Sequence, residues 1–97
     1  MPTYIVLNNY TDQGIKAIKD SPNRLDGTRK AIEAAGGKVL GFYLTMGRYD
    51  SVLIVEGPND EIAASLALGA GSQGFVRTET LKAFPESEYR KIIAQIP

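Results

Sequence analysis

The chain has 97 residues, enough for one compact domain and too few for two, and 43% of them are hydrophobic, which is too many for a disordered chain. Lysine plus arginine (11) balances aspartate plus glutamate (11), so there is no basic excess to neutralise the phosphates of nucleic acid. Cysteine and histidine are absent, which excludes disulfides, thiolate or imidazole metal sites and the usual general base near neutral pH.

The N-terminal residues MPTYIVLNNY do not have the composition of a signal peptide, because no basic segment precedes a long apolar run. The longest apolar runs also fall far short of the roughly 20 residues that cross a bilayer. We therefore expect a cytoplasmic protein that uses no cofactor and no metal and that binds neither nucleic acid nor membrane.

The first predicted strand, Thr3 to Tyr10, is rich in β-branched and aromatic residues. Thr11 or Asp12 can then cap a helix, because short polar side chains accept hydrogen bonds from a helix N-terminus. A single helix, bent near Pro22, is predicted over most of Asp12 to Ala35, where two glycines stop it.

The second half of the chain reads as two strands, a helix, a strand and a last helix. The predicted strands are Lys38 to Met46, Ser51 to Gly57 and Phe75 to Phe84; one helix follows Pro58-Asn59-Asp60, and an amphipathic helix covers Pro85 to Ile96. The order βαββαβα predicts an α+β fold of the ferredoxin-like type in one domain, residues 1–97. Such a fold has an antiparallel four-stranded sheet with both main helices on one face.

Apolar residues occupy both faces of the middle strands, whereas a sheet with one wet face should alternate apolar and polar residues. Simple alternation puts Val39 and Tyr43 on one face of the second strand and Phe42 on the other. The third strand has Ile54 on one face and Leu53 on the other. We therefore predict a homo-oligomer, a dimer through the face away from the helices. The alternative is that the terminal helix folds back over that face.

Residues 69–74, GAGSQG, match the pattern G-x-G-x-x-G. In a dinucleotide site this run follows a strand and opens a helix, whose N-terminus meets the pyrophosphate. Here it follows a helix and precedes a strand, which predicts that the run ends the helix in a flexible loop and forms no nucleotide site.

The turn between the second and third strands, Gly47 to Asp50, has a sufficient structural explanation. Glycine relieves the turn, and the Asp50 side chain can bond nearby backbone and start the next strand. The functional alternative places Tyr49 and Asp50 at one end of the sheet, at the rim of the cleft between sheet and helices.

Arg77 and Glu79 lie two residues apart on the fourth strand and therefore share a face that is otherwise apolar. Charges on such a face are costly unless paired, which predicts a buried or half-buried ion pair. The arginine could instead hold an anionic ligand. Thr78 and Thr80 occupy the opposite face, where they are ordinary strand residues.

Three segments together resemble the GYD-domain family: MPTYIVLNNYTDQGIKAIKDSPNR, GGKVLGFYLTMGRYDSVLIVEGP and FVRTETLKAF. The resemblance runs from Tyr4 to about Phe84 and implies a ferredoxin-like fold of the dimeric α/β-barrel superfamily. It implies no specific catalytic activity. The family positions that it identifies are Thr11, Asp12, Gln13, Gly14, Gly47, Tyr49, Asp50, Arg77, Thr78, Glu79 and Thr80. Before the fourth strand this chain departs from the family, with GAGSQGF in place of the usual run.

Two functions follow from these observations. The first is an oligomeric module that associates with further copies of itself. This module either binds a small-molecule ligand or has a structural role. The alternative is a cofactor-independent enzyme of the isomerase or monooxygenase type, by fold-level analogy alone. An enzyme would need Asp50 or Glu79 as base, Tyr43 or Tyr49 as proton donor and Arg77 as anion clamp. A cavity lined by these groups favours the enzyme, and a filled interior favours the module.

Overall fold

The computed structural model describes all 97 residues as a four-stranded antiparallel sheet with its main helices on one face. The elements are β1 (Thr3–Tyr10), α1 (Asp12–Lys16), a 3₁₀ turn (Ile18–Asp20), α2 (Ser21–Ala34), β2 (Lys38–Leu44), β3 (Ser51–Glu56), α3 (Asp60–Ser72), β4 (Val76–Ala83) and α4 (Glu86–Ala94). The strand order β2-β3-β1-β4 confirms the predicted ferredoxin-like α+β fold.

The single bent helix predicted after β1 is wrong, because the segment forms α1, the 3₁₀ turn and then α2. Pro22 lies in the first turn of α2, has no N–H to give and crowds the carbonyl four residues earlier. A continuous helix cannot run through it, and a new helix begins instead. The predicted cap is correct at Thr11, whose side chain accepts from the Gly14 N–H at 3.0 Å.

The glycine-rich run is not the flexible loop that we expected, since α3 continues through it to Ser72. The side chain of Asn59 caps the start of α3 by accepting from the Ile62 N–H at 2.9 Å. Gly69 and Gly71 each cost a helix about 1 kcal/mol relative to alanine. The continuing hydrogen bonds and the packing of α3 on β4 outweigh that cost. The run therefore forms the C-terminal end of a helix, and only Gly74 has the left-handed backbone, with φ 87°.

The register of β2 also differs from simple alternation. A bulge between Val39 and Gly41 inserts one extra residue opposite β3. As a result Val39, paired with Val55, and Phe42, paired with Leu53, both face the helices. The expectation that Val39 shares a face with Tyr43 is therefore wrong.

The core lies between the sheet and the helices and is small. Four apolar residues are buried there: Tyr4, Ile32, Leu53 and Val55. The other side of the sheet carries no helix, and we call it the open face. Its members across β3, β1 and β4 are Val52, Ile54, Ile5, Leu7, Leu81 and the two charged residues Arg77 and Glu79. Both faces of the sheet are thus rich in apolar side chains, and only one is covered.

Helix α4 does not fold back over the open face, so that alternative is wrong for this chain. Every residue from 84 to 97 is exposed. The helix nevertheless carries an apolar stripe of Tyr89, Ile92 and Ile93, which Ile96 extends just beyond the helix end; these four residues are 40–64% exposed. The helices of this protein are all too short or too polar to cross a bilayer.

Candidate functional site

A half-enclosed cavity of about 850 Å³ lies between the helix-covered face of the sheet and helices α2 and α3. Small-molecule sites occupy cavities of about 300–1,000 Å³, so this volume is ample for an organic ligand. The interior expected for a purely structural module is filled by side chains, and this one is not.

The floor of the cavity changes from polar to apolar along the strands. Near the end of β1 the lining row consists of Ser51, Asn8 and Thr78, which are register partners on β3, β1 and β4. Two residues further along, Leu53 and Val6 bring the apolar part of the floor. One end of the cavity can therefore hold a hydrogen-bonding group and the rest an apolar body.

Arg24 of α2 lines the cavity near its polar end. Its Nη1 donates to the carbonyl of Ala17 at 3.1 Å, and its guanidinium carbon lies 4.3 Å from the centre of the Phe75 ring. Its Nη2 is buried and has no hydrogen-bond partner. Buried polar atoms are nearly always paired, so an unpaired cationic nitrogen on a residue that lines a cavity indicates a missing acceptor.

A second polar contact joins the buried Tyr4 to the exposed Asp60. The Tyr4 hydroxyl donates to Oδ1 of Asp60 at 2.5 Å, and Lys82 Nζ donates to Oδ2 at 3.2 Å. Burial, together with the bond to Asp60, raises the pKa of Tyr4 to about 12. The bonds from Tyr4 and then Lys82 lower the pKa of Asp60. This chain of contacts joins the start of α3 to β1 and β4, which is a structural role.

None of the five candidate residues named from the sequence lines the cavity: Tyr43, Tyr49, Asp50, Arg77 and Glu79. Tyr43 is 61% exposed on the open face. The acid and base that the enzyme alternative needs are therefore not assembled around the cavity. Whether these residues have a function of another kind stays a prediction.

The Tyr49 hydroxyl donates to Oε1 of Glu79 at 2.8 Å. Since β1 lies between β3 and β4, this bond joins the turn before β3 to β4 across the end of β1. The bond to Glu79, with some burial, raises the pKa of Tyr49. Tyr49 was expected at the rim of the cleft, and it lies instead across one end of the open face, because Glu79 belongs to that face.

Asp50 completes the sheet at the point where β1 extends beyond β3. Its Oδ2 accepts from the Tyr10 N–H at 2.9 Å, in the place of a strand carbonyl. Its own N–H donates to the carbonyl of Asn8 at 2.8 Å. The structural explanation of this turn accounts for Asp50 fully, since its carboxylate is already engaged with backbone.

The expected ion pair between Arg77 and Glu79 does not form, because Glu79 binds Tyr49 and Arg77 lies elsewhere. Arg77 is exposed on the edge strand, and its side chain reaches round to the end of α3 near Gly71. The C-terminus of a helix attracts cations, which explains this position.

The TDQG segment, Thr11 to Gly14, connects the end of β1 to the residues just before β4, and we call this connection the clasp. The Thr11 N–H donates to the carbonyl of Phe75 at 3.1 Å, and the Thr11 hydroxyl donates to the carbonyl of Gly74 at 2.5 Å. Only glycine fits at position 14, since a Cβ there would overlap the Phe75 carbonyl oxygen. The motif thus positions Phe75, which in turn holds Arg24.

Three residues that line the cavity were not predicted as site residues: Arg24 was not considered, and Thr78 and Thr80 were interpreted as ordinary strand residues. A signal for Arg24 was present, because it lies four residues before Thr28 on the helix face that carries the apolar residues. No group of carboxylates comes together in a way that could hold a metal ion.

Comparisons with known proteins agree on one relationship. A model of the family described as "GYD domain" matches residues 4–93. The chain is 35% identical over 89 residues to the "Glutamine synthetase and cystathionine beta-lyase binding protein" of Thermus thermophilus, and the match covers 91% of this chain and 94% of that protein.

A solved structure resembles the fold as well. The crystal structure of TTHA0845 from Thermus thermophilus matches with a TM-score of 0.54 at 28% identity. The match covers 88% of this chain and 95% of the other. The likeness therefore extends over most of the chain and is not restricted to one motif.

Proposed function

The chain belongs to the GYD domain family, and on that basis we propose that it is a homo-oligomeric binding module rather than an enzyme. The observation that carries the proposal is the uncovered apolar open face. Its centre is made by Ile54 of β3, Ile5 of β1 and Leu81 of β4, which are register partners. A contiguous apolar surface of this kind is typical of a surface that meets another protein.

A second copy of the chain is the occupant that fits the open face best. The apolar centre is self-complementary when two such faces meet about a twofold axis. The net charge is zero, so no long-range repulsion opposes the approach of two copies. Association would also remove from water the apolar surface that a monomer leaves exposed.

The name of the Thermus thermophilus relative supports a binding role with other proteins, since that protein is described as binding two enzymes. We extend this to the present chain as part of the proposal: it binds protein partners, with glutamine synthetase and cystathionine beta-lyase as the proposed ones. If the open face is used by a second copy, the apolar stripe of α4 remains available to a partner protein.

The enzyme alternative is less well supported. It requires a base and a proton donor facing a common substrate site. Asp50 is occupied by backbone hydrogen bonds, while Tyr49 and Glu79 bind each other outside the cavity. The geometry favours binding as the function.

Sedimentation velocity tests the self-association. At tens of micromolar the wild-type chain is expected to sediment as a dimer or a larger assembly. Ile54→Glu should sediment as a folded monomer, because a carboxylate at the centre of the open face would have to be buried without a partner. Leu68→Glu is the matched control, since Leu68 is 75% exposed on α3 and away from that face. A monomeric wild type would refute the proposal, and so would an Ile54→Glu protein that associates as the wild type does.

A further inference from the structure

We propose that the cavity between the sheet and helices α2 and α3 binds a small organic monoanion, a carboxylic acid with an apolar body, whose carboxylate pairs with Arg24. This site lies on the opposite side of the sheet from the open face. It is therefore independent of the self-association proposed above.

The first step of the argument concerns space. The cavity holds about 850 Å³, while only four apolar side chains around it are buried. A half-enclosed cavity of this size leaves its apolar lining without the contacts that a filled core provides, so a fold that keeps one forgoes stability. A ligand that occupies the cavity restores those contacts.

The second step concerns charge. Arg24 and Glu56 are the only charged residues that line the cavity. Glu56 lies at the far end of β3 from Ser51, so the polar end of the cavity has one cation and no anion. The nearest acid to Arg24 is Asp20, whose Oδ2 is 3.9 Å from Nη1 and which is largely exposed to water. Nη2 has no acceptor in the protein and is not reached by water, so a ligand carboxylate bonds it once the neighbouring side chains move slightly apart.

The third step concerns the shape of the cation. Nη1 is held by the carbonyl of Ala17, and the guanidinium group rests against Phe75, so the side chain is fixed before any ligand arrives. Guanidinium groups bind carboxylates with good geometry. Asn8, Ser51 and Thr78 line the same end and can hydrogen-bond the second carboxylate oxygen.

The fourth step identifies the class of ligand. A phosphate dianion would bring two charges to a site with one cation and would leave the second uncompensated in an apolar cavity. A carboxylate brings one. Beyond the polar end the floor continues over Val6 and Leu53, which favours an apolar body attached to that carboxylate.

Isothermal titration calorimetry with decanoate, decanol and decylammonium near neutral pH tests the proposal on the wild-type protein. We expect decanoate to bind at least about tenfold more tightly than decanol, because a hydrogen bond to a charged group typically contributes that much. Decylammonium should bind more weakly than either. Equal or tighter binding of decanol would overturn the proposal, as would the absence of decanoate binding at millimolar concentration.

Substitution of Arg24 identifies the group responsible. Arg24→Met keeps the apolar stem and removes the charge, so decanoate affinity should fall at least about tenfold while decanol affinity is unchanged. Arg29→Met is the control, because Arg29 lies exposed on the same helix and outside the cavity. If Arg24→Met binds decanoate as tightly as wild type, the assignment of Arg24 is wrong.

A second pair of variants locates the ligand and does not depend on the folding of Arg24→Met. Ala63→Phe should weaken decanoate binding, because Ala63 lines the cavity beside the core and the ring would project into the space that the apolar body occupies. Ala64→Phe, one residue further along α3 and exposed, should not. Binding that is unchanged in Ala63→Phe and is lost in Ile54→Glu would place the ligand on the open face and overturn the proposal.

Discussion

At the residue scale, the Tyr4–Asp60 hydrogen bond couples the stability of the fold to pH at both extremes. The pKa of Tyr4 is raised to about 12 from 10.0, so the native state holds this proton more tightly than the unfolded chain does. The free energy of unfolding that this bond contributes is therefore complete below pH 10 and is lost as the pH rises towards about 12.

The pKa of Asp60 is lowered, so its contribution to the unfolding free energy depends on pH in the opposite direction. Its contribution is present above its ordinary value of 3.8 and is lost as the pH falls through the lowered value. We predict that Tyr4→Phe flattens the dependence of the unfolding free energy on pH at both ends. Urea denaturation across the pH range measures it.

Tyr49→Phe serves as the control for this prediction, because Tyr49 also has a raised pKa but has no contact with Asp60. It should reduce the alkaline slope and leave the acid slope unchanged. Equal acid slopes for Tyr4→Phe and the wild type would show that the bond to Asp60 does not govern the acid limb.

The residues of the candidate site could be predicted only in part. The identity of Asp50 as a turn residue follows from its ability to bond nearby backbone, and the structure confirms that explanation. The pairing of Arg77 and Glu79 could not be judged from spacing, since it depended on where Tyr49 of a distant turn would lie. Arg24 was missed because a lone arginine on a helix is normally solvated. Only the folded structure shows that its Nη2 is buried and that the residue lines a cavity.

At the element scale, the structure requires glycine at one of two helical glycine positions and tolerates a side chain at the other. Gly14 of α1 approaches the backbone of Phe75 so closely that no Cβ fits, whereas a Cβ on Gly27 of α2 would meet nothing within 4 Å. We predict that Gly14→Ala lowers the free energy of unfolding by about 1–3 kcal/mol, as overpacked sites do. Gly27→Ala should raise it by about 0.5–1 kcal/mol, because alanine favours helix.

Thermal and urea melts of the two variants measure this pair, and each is the control for the other. The same helix-propensity gain applies to both, so the difference isolates the contact with Phe75. If both substitutions stabilise the protein, the clasp between TDQG and the start of β4 tolerates movement and cannot be what positions Phe75.

The periodicity of the sequence predicted the order and type of the main elements. It did not predict the bulge in β2 or the exact ends of the helices. Strand alternation cannot detect the bulge at Val39 and Gly41, because it adds one residue without changing composition. The extension of α3 through GAGS depends on packing against β4, which a local glycine count does not include. Local propensity was overridden by tertiary contacts in both helices and strands.

At the scale of the whole molecule, the chain is more extended than its length requires. Its radius of gyration is 14.5 Å and its longest dimension 52 Å. A chain of about 100 residues normally has a radius of gyration of about 13 Å. The exposed helix α4 accounts for this shape, since every one of its residues is in contact with water. An amphipathic helix whose apolar stripe is largely exposed is suited to docking on another chain.

Truncation of residues 85–97 separates a structural role of α4 from a docking role. In the Ile54→Glu background, where we expect a monomer, truncation should leave the free energy of unfolding unchanged within about 0.5 kcal/mol, because exposed residues contribute little. In the wild-type background, where we expect copies to associate, a larger decrease in the free energy of unfolding would indicate that α4 contacts another subunit.

The same truncation tests the proposed binding of protein partners. Glutamine synthetase and cystathionine beta-lyase from the organism that encodes this chain are the probes, chosen because the Thermus thermophilus relative is named for them. We predict that the full chain binds at least one of them in calorimetry and that the truncated chain does not. Ile92→Glu should reproduce the loss by placing a charge in the apolar stripe, while Lys91→Glu, on the same helix and outside the stripe, should weaken binding far less. Unchanged binding after truncation would move the partner site to the sheet or to α2 and α3, and failure of both enzymes to bind the full chain would refute the proposed partners.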